Sequence, residues 1–248
     1  ELWRDDLPGV ICYHIACGQL RKSLNGDMLE TFYRAIESDD VAVMAWARAL
    51  MPKWPADTTC RAAQAGSRLC LAYAHENGAV WHPRTTYCPT DQGAARTGSL
   101  GCLAYAHEHG AEWHDHTTYA AAVAGSLKCL AYAHENGAEW DPETTYYAAL
   151  ACSLECLAYA HEHGAEWHPE TTVAAAKVGS LGCLAYAHEN GAEWDPETTY
   201  GAALAGSLPC LAYAHEYGAE WHQHTTASAA GRGSLPCLRY AIENGAQL

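Results

Sequence analysis

Positive charge is in short supply in this sequence: 14 Lys and Arg stand against 29 Asp and Glu, a formal net charge of −15. A surface that negative repels phosphate backbones, so nucleic acid is not expected as a partner, and a protein with a basic or mixed surface is. Long apolar runs are missing too. None approaches the roughly 18–20 residues a membrane-spanning helix needs, so no membrane span is expected. Catalytic signatures are absent: there is no P-loop, GxGxxG, GxSxG or HExxH, and no Cys-x-x-Cys. No enzymatic activity and no cofactor are therefore expected. Disorder is excluded from the other side, because 49% of the residues are hydrophobic and only 17% charged. The first residues, with Glu1, Arg4, Asp5 and Asp6 charged and no apolar region behind them, do not read as a signal peptide.

What the chain has is repetition. Cys102, Cys129, Cys156, Cys183, Cys210 and Cys237 stand 27 residues apart, as do Trp113, Trp140, Trp167, Trp194 and Trp221. Gly110, Gly137, Gly164, Gly191, Gly218 and Gly245 keep the same step. Units start at Gly66, Gly98, Gly125, Cys152, Gly179, Gly206 and Gly233, the step from Gly66 to Gly98 carrying an insertion within Tyr87–Thr97. A degenerate unit at 39–65 keeps Trp54 and the pair Thr58-Thr59 in register. The array thus covers 39–248 with about eight units, the last incomplete.

Each unit reads as two helices. In the unit from Gly125, Ser126 is an N-cap, the second helix runs from Leu127 to Asn136, and Gly137 ends it in the left-handed conformation. Asp141-Pro142-Glu143 reads as N-cap, N1 proline and first-turn acid of the first helix, which runs through 144–151. Leu127, Leu130 and His134 lie beside Cys129, Tyr132 and Ala133, so the apolar surface is wider than one stripe and the helix is sandwiched. No unit can bury its own faces and stacking must do it, which predicts an all-α solenoid of stacked helix–turn–helix repeats.

The motifs Thr144-Thr145-Tyr146-Tyr147-Ala148-Ala149, Gly179-Ser180-Leu181 and Glu189-Asn190-Gly191-Ala192 resemble the ankyrin repeat, with Trp194 where valine is usual. The resemblance covers about residues 39–248 and is to a divergent, short form, because the ankyrin unit has about 33 residues. It implies protein–protein binding and scaffolding without intrinsic chemistry. The departure lies in the linker, cut to Glu139-Trp140-Asp141-Pro142, which puts the projecting hairpins in doubt.

Tyr119/Val123, Tyr146/Leu150 and Tyr200/Leu204 are i, i+4 pairs on one face of the first helix, and Val173/Lys177 and Ala227/Gly231 take the same places in other units. Positions that vary between near-identical units are not fixed by the stack, so Tyr119, Val123, Tyr146, Leu150, Val173, Lys177, Tyr200 and Leu204 are the candidate protein-binding residues. The resemblance implies that this face lines a concave groove. The alternative is that these residues only fill space between repeats. The repeated cysteines are too far apart to pair and read as reduced, buried residues of an intracellular, reducing compartment, cytoplasm or an organelle after loss of a targeting segment. The ladder His75, His107, His134, His161, His188 and His215 reads as hydrogen-bonded, half-buried histidine, with Arg48 and Ile242 in its place at the ends. The loop pairs His114/His116 and His222/His224 could chelate a metal at i, i+2, although no metal site is expected.

Residues 1–38 stand outside the repeat. They read as a helical cap, with Asp27 capping a helix through Met28, Leu29, Phe32, Ala35 and Ile36, while Leu7-Pro8-Gly9-Val10-Ile11 resembles the start of an F-box. The leading expectation is a non-enzymatic scaffold or interaction protein, alone or as a linker subunit of a larger assembly. The rivals are a substrate adaptor for ubiquitin ligation through an F-box and a His-rich metal-binding repeat protein.

Overall fold

The computed structural model describes residues 24–87 and 99–247. Among them fifteen helices and no strand occur. The chain divides into two compact bodies, which among the described residues comprise 24–87 with 101–112 and 99–100 with 113–247. The first body holds α1 (Leu24–Glu37), α2 (Val41–Ala49), α3 (Thr58–Gln64), α4 (Arg68–Glu76) and α5 (Leu100–Glu108). The second alternates first and second helices of the repeat: α6 (Thr117–Val123), α7 (Leu127–Glu135), α8 (Thr144–Leu150), α9 (Leu154–Glu162), α10 (Thr171–Lys177), α11 (Leu181–Glu189), α12 (Thr198–Ala205), α13 (Leu208–Glu216), α14 (Thr225–Arg232) and α15 (Leu235–Glu243). First helices pack on first helices and second on second, each pair also touching within its unit. Each body is thus a stack of helix pairs, as the period requires. No described helix is long and apolar enough to cross a membrane.

The second helices are short and sharply bounded. Ser126, Ser153, Ser180 and Ser207 each accept the N–H of the cysteine three residues on. Asp40 does the same for α2 through the Val43 N–H, so an aspartate replaces the serine without loss of the cap. At the other end Gly137 takes φ +89°, and the Ala138 N–H closes back on the Ala133 carbonyl at 2.9 Å. Before each serine the chain turns through the left-handed region, which Asp39 (φ 53°) and Cys152 (φ 56°) adopt where other units have glycine.

First helices begin later than the cap pattern suggests. Thr144 opens α8, and Glu143, which precedes it, makes no side-chain cap. Asp141 instead forms a turn of its own, its carboxylate accepting the Glu143 N–H at 2.7 Å and its carbonyl the Thr144 N–H at 3.0 Å. Likewise α1 starts at Leu24, ahead of Asp27. Met28, Phe32, Ala35 and Ile36 of α1 are buried against the first repeats, while Leu29 is exposed. The F-box-like stretch Leu7–Ile11 lies outside the described residues.

Three contacts repeat along the stack. In the first, the second threonine of each pair reaches into the next unit. The Thr145 hydroxyl donates to the Glu166 carbonyl at 3.2 Å and accepts the His168 N–H at 2.9 Å. Thr118, Thr172 and Thr199 make the same pair of bonds 21 and 23 residues on. All are buried, so these bonds satisfy loop groups that water cannot reach. The second contact is aromatic. His161 stacks on Trp167 with centroids 4.6 Å apart, and its Nδ1 lies 3.4 Å from the hydroxyl of Tyr186 in the next unit. The Trp167 indole N–H donates to the Asn190 carbonyl at 3.0 Å. Arg48 takes the histidine's place over Trp54, 4.7 Å from the ring centroid. The third contact is apolar: Leu130, Leu157, Leu184 and Leu211 have no exposed surface.

The cysteines belong to this packing. Cys70, Cys129, Cys156, Cys183, Cys210 and Cys237 are buried and free, and Cys152 is exposed. Burial raises the thiol pKa of Cys70 to about 12, with the Asp39 carboxylate adding to the effect.

Replacing Leu130 by alanine is expected to lower stability by about 2–5 kcal/mol in urea unfolding, the range for a buried leucine. Thr145→Val keeps the shape and removes the hydroxyl, stranding a buried N–H and a carbonyl of the next loop, and should cost about 1–3 kcal/mol. Thiol alkylation of the native protein, followed by peptide mapping, should modify Cys152 well before Cys70 or Cys156, because the thiolate is the reactive form and burial suppresses it. Equal rates for the three would contradict the packing.

Candidate protein-binding face

A first helix spends most of its seven residues on the stack. In α8, Thr144, Thr145, Ala148 and Ala149 are buried, and alanine at the contact lets neighbouring first helices approach closely. The third, fourth and seventh positions point away: Tyr146, Tyr147 and Leu150 are half-buried. The same holds for Tyr119 and Val123 in α6 and for Tyr200 in α12, and Leu204 is 45% exposed.

These side chains meet across units. The Tyr119 ring sits edge-on to Tyr147 at 4.6 Å, and Tyr147 edge-on to Tyr146 at 4.8 Å. Tyr146 lies 5.3 Å from His168 and Tyr200 5.3 Å from His222, so each tyrosine is bordered by a loop histidine of the following unit. Burial, followed by the charge of Glu170, raises the pKa of the Tyr146 hydroxyl and keeps it protonated as a donor. Tyr147 was not among the expected residues, because only the third and seventh positions form the i, i+4 pair. Its signal was available, since its place is taken by Ala120, Ala174, Gly201 and Ser228 elsewhere.

Val173 departs from the expectation. It is 1% exposed and offers no surface to a partner. The cause is its neighbour: a Cβ on Gly201 would stand 3.2 Å from Val173 Cγ2 and 3.1 Å from Lys177 Cγ. Valine and the lysine stem fill the room that the missing side chain leaves, and Val173 joins the core. Lys177 continues outward, its ammonium 3.4 Å from the Glu197 carboxylate. Val173 therefore divides the face into a patch around Tyr119, Tyr146 and Tyr147 and a second around Tyr200.

The second patch opens into a groove. Ala227 and Gly231 occupy the places of tyrosine and leucine, and their small size leaves a trough of about 1070 Å³ beside Tyr200 and Leu204. Lys177, Glu197, His222 and Arg232 complete its walls.

The loop histidines are partly spent on backbone turns. His114 Nδ1 accepts the His116 N–H at 3.2 Å, and His222 Nδ1 accepts the His224 N–H at 3.3 Å. His116 Nδ1 is hydrogen-bonded to the buried Asp141 carboxylate. The rings within each pair are 5.4 Å apart, and among the described residues no three His, Cys, Asp or Glu side chains form a group that could hold a metal ion. No protein-family model matches this chain, and no curated protein matches it either.

Proposed function

We propose that this chain is a non-enzymatic interaction module, an ankyrin-like scaffold or a linker subunit of a larger assembly, which holds a protein partner on the tyrosine-lined side of its first helices. One observation carries the reading. The recurring threonines, cysteines and the fully buried leucine of each second helix are consumed by the stack, whereas Tyr119, Tyr146, Tyr147, Tyr200 and Leu204, at positions that vary between units, keep exposed surface. The repeated threonines, alanines and cysteines are buried. The repeated tryptophans and histidines stack on each other and bond the next unit. The tyrosines among these varying residues touch their neighbours at ring edges and still present surface, and tyrosine supplies much contact area at little entropic cost.

The short repeat favours the same side. With the linker reduced to a few residues that Thr145 and Trp140 fasten to neighbouring units, the loops have little length to project as fingers. The face of the first helices is the larger surface free to vary. The strong negative charge directs the partner toward a basic or mixed surface.

Tyr146→Ala is the test. It should weaken binding of the protein that co-purifies with the chain by about 1–2 kcal/mol while changing the stability by less than about 1 kcal/mol. A stability loss as large as that of Leu130→Ala, or unchanged affinity, would overturn the reading.

A further inference from the structure

We infer that the groove beside Tyr200 takes an extended polypeptide segment in which a carboxylate side chain stands next to an apolar or aromatic one. The inference rests on the interaction reading and specifies the chemistry that one part of the face recognises.

Charge is the first argument. Residues 113–248 contain 16 Asp and Glu against four Lys and Arg, a formal −12. Those four cations are Lys128, Lys177, Arg232 and Arg239, and two of them line this single groove together with His222 and His224. Lys177 is engaged by Glu197. Arg232 has no carboxylate partner among the described residues. An acidic segment approaching elsewhere on this body meets mostly like charge. Here it meets a guanidinium with its donors free.

The guanidinium is also placed. Gly206 turns through φ +72° with no side chain, and the Arg232 stem lies over it, Cγ 3.3 Å and Nε 3.7 Å from where a Cβ would stand. The glycine that makes the turn thus seats the arginine, which lowers the entropy lost when a carboxylate is bound in fork geometry.

The apolar half of the requirement comes from the floor and one wall. Tyr200 and the exposed Leu204 face the space vacated by Ala227 and Gly231, which admits a side chain of leucine or tyrosine size. Ser228 adds a polar point. The residue is among those that line the same trough. The trough is open rather than closed, which suits a chain segment better than a small molecule.

Phage-displayed random peptides selected on the full chain, then measured as synthetic peptides on the wild type, R232Q and Y200A, test this. Thermal melts confirm that both variants fold. The expected result is enrichment of Asp or Glu beside Leu, Tyr, Phe or Trp, with affinity about tenfold weaker on R232Q, as for loss of one charge-assisted hydrogen bond, and weakened by salt. Peptides that need Tyr200 but show no acidic enrichment, or that bind R232Q as well as wild type, overturn the inference and leave the interaction reading standing. Recovery of no peptide that depends on either residue likewise overturns the inference, while the interaction reading stands or falls with Tyr146→Ala.

Discussion

The hydroxyl of the second threonine in each unit is the link on which the stack depends. A helix–turn–helix of this length leaves the loop of the following unit with a carbonyl and an N–H that no helix or strand can satisfy. Thr145 meets both, at the Glu166 carbonyl and the His168 N–H, from inside a dry contact. The bond works only if the next unit is in register, because the groups it satisfies lie 21 and 23 residues further on. Constancy of the period and burial of the threonine are therefore one requirement. It also explains why no unit is a domain by itself: each leaves polar groups that only its neighbour can reach.

The aromatic side of the stack follows the same logic with weaker contacts. His161, His188 and His215 are each held between their own tryptophan and the tyrosine of the next unit, and the tyrosine hydroxyl turns toward the glutamate beside that histidine, as Tyr213 does toward Glu189 at 3.4 Å. Burial and that glutamate raise the pKa of the Tyr213 hydroxyl, which favours the donor form the contact requires. Where the ladder starts, Arg48 supplies a flat cation in place of imidazole, so the stacking function survives a change of residue. Much of the side-chain chemistry that composition alone would mark as reactive is thereby used up in holding units together.

How far this was legible in the sequence follows from the range of the forces involved. Repeat length, helix pairs, serine caps and glycine stops are local or periodic, and the pattern shows them directly. The start of α8 was misplaced because Asp141-Pro142-Glu143 satisfies the rule for a cap while Asp141 is engaged in a turn just ahead of the helix, a choice made by the threonine bond to its N–H from the previous unit. The threonine pair itself was visible only as part of a family-like signature, since nothing local says that a hydroxyl will serve a loop 21 residues away. Val173 was misread for a related reason. Its environment is decided by the absence of a side chain at Gly201, one unit on, and a pairing rule confined to one helix does not see it.

Repetition and recognition are opposed demands on such a chain, and the first helix resolves them by position. Its buried residues must be nearly constant, because each is simultaneously contact and counter-contact for two neighbours. Its third, fourth and seventh positions are less bound to the stack in some units, where Tyr119, Tyr146, Tyr147, Leu150, Tyr200 and Leu204 keep exposed surface, so a change there alters the surface without altering the register. The result is a regular frame with an irregular face: paired tyrosines around Tyr146, a filled step at Val173, and a trough where Ala227 and Gly231 succeed Tyr200 and Leu204. A partner bound along it would meet different chemistry every 27 residues. The step that closes the first patch and the small residues that open the second are both consequences of side-chain size at equivalent positions, which is how near-identical units can present a surface that is not itself a repeat.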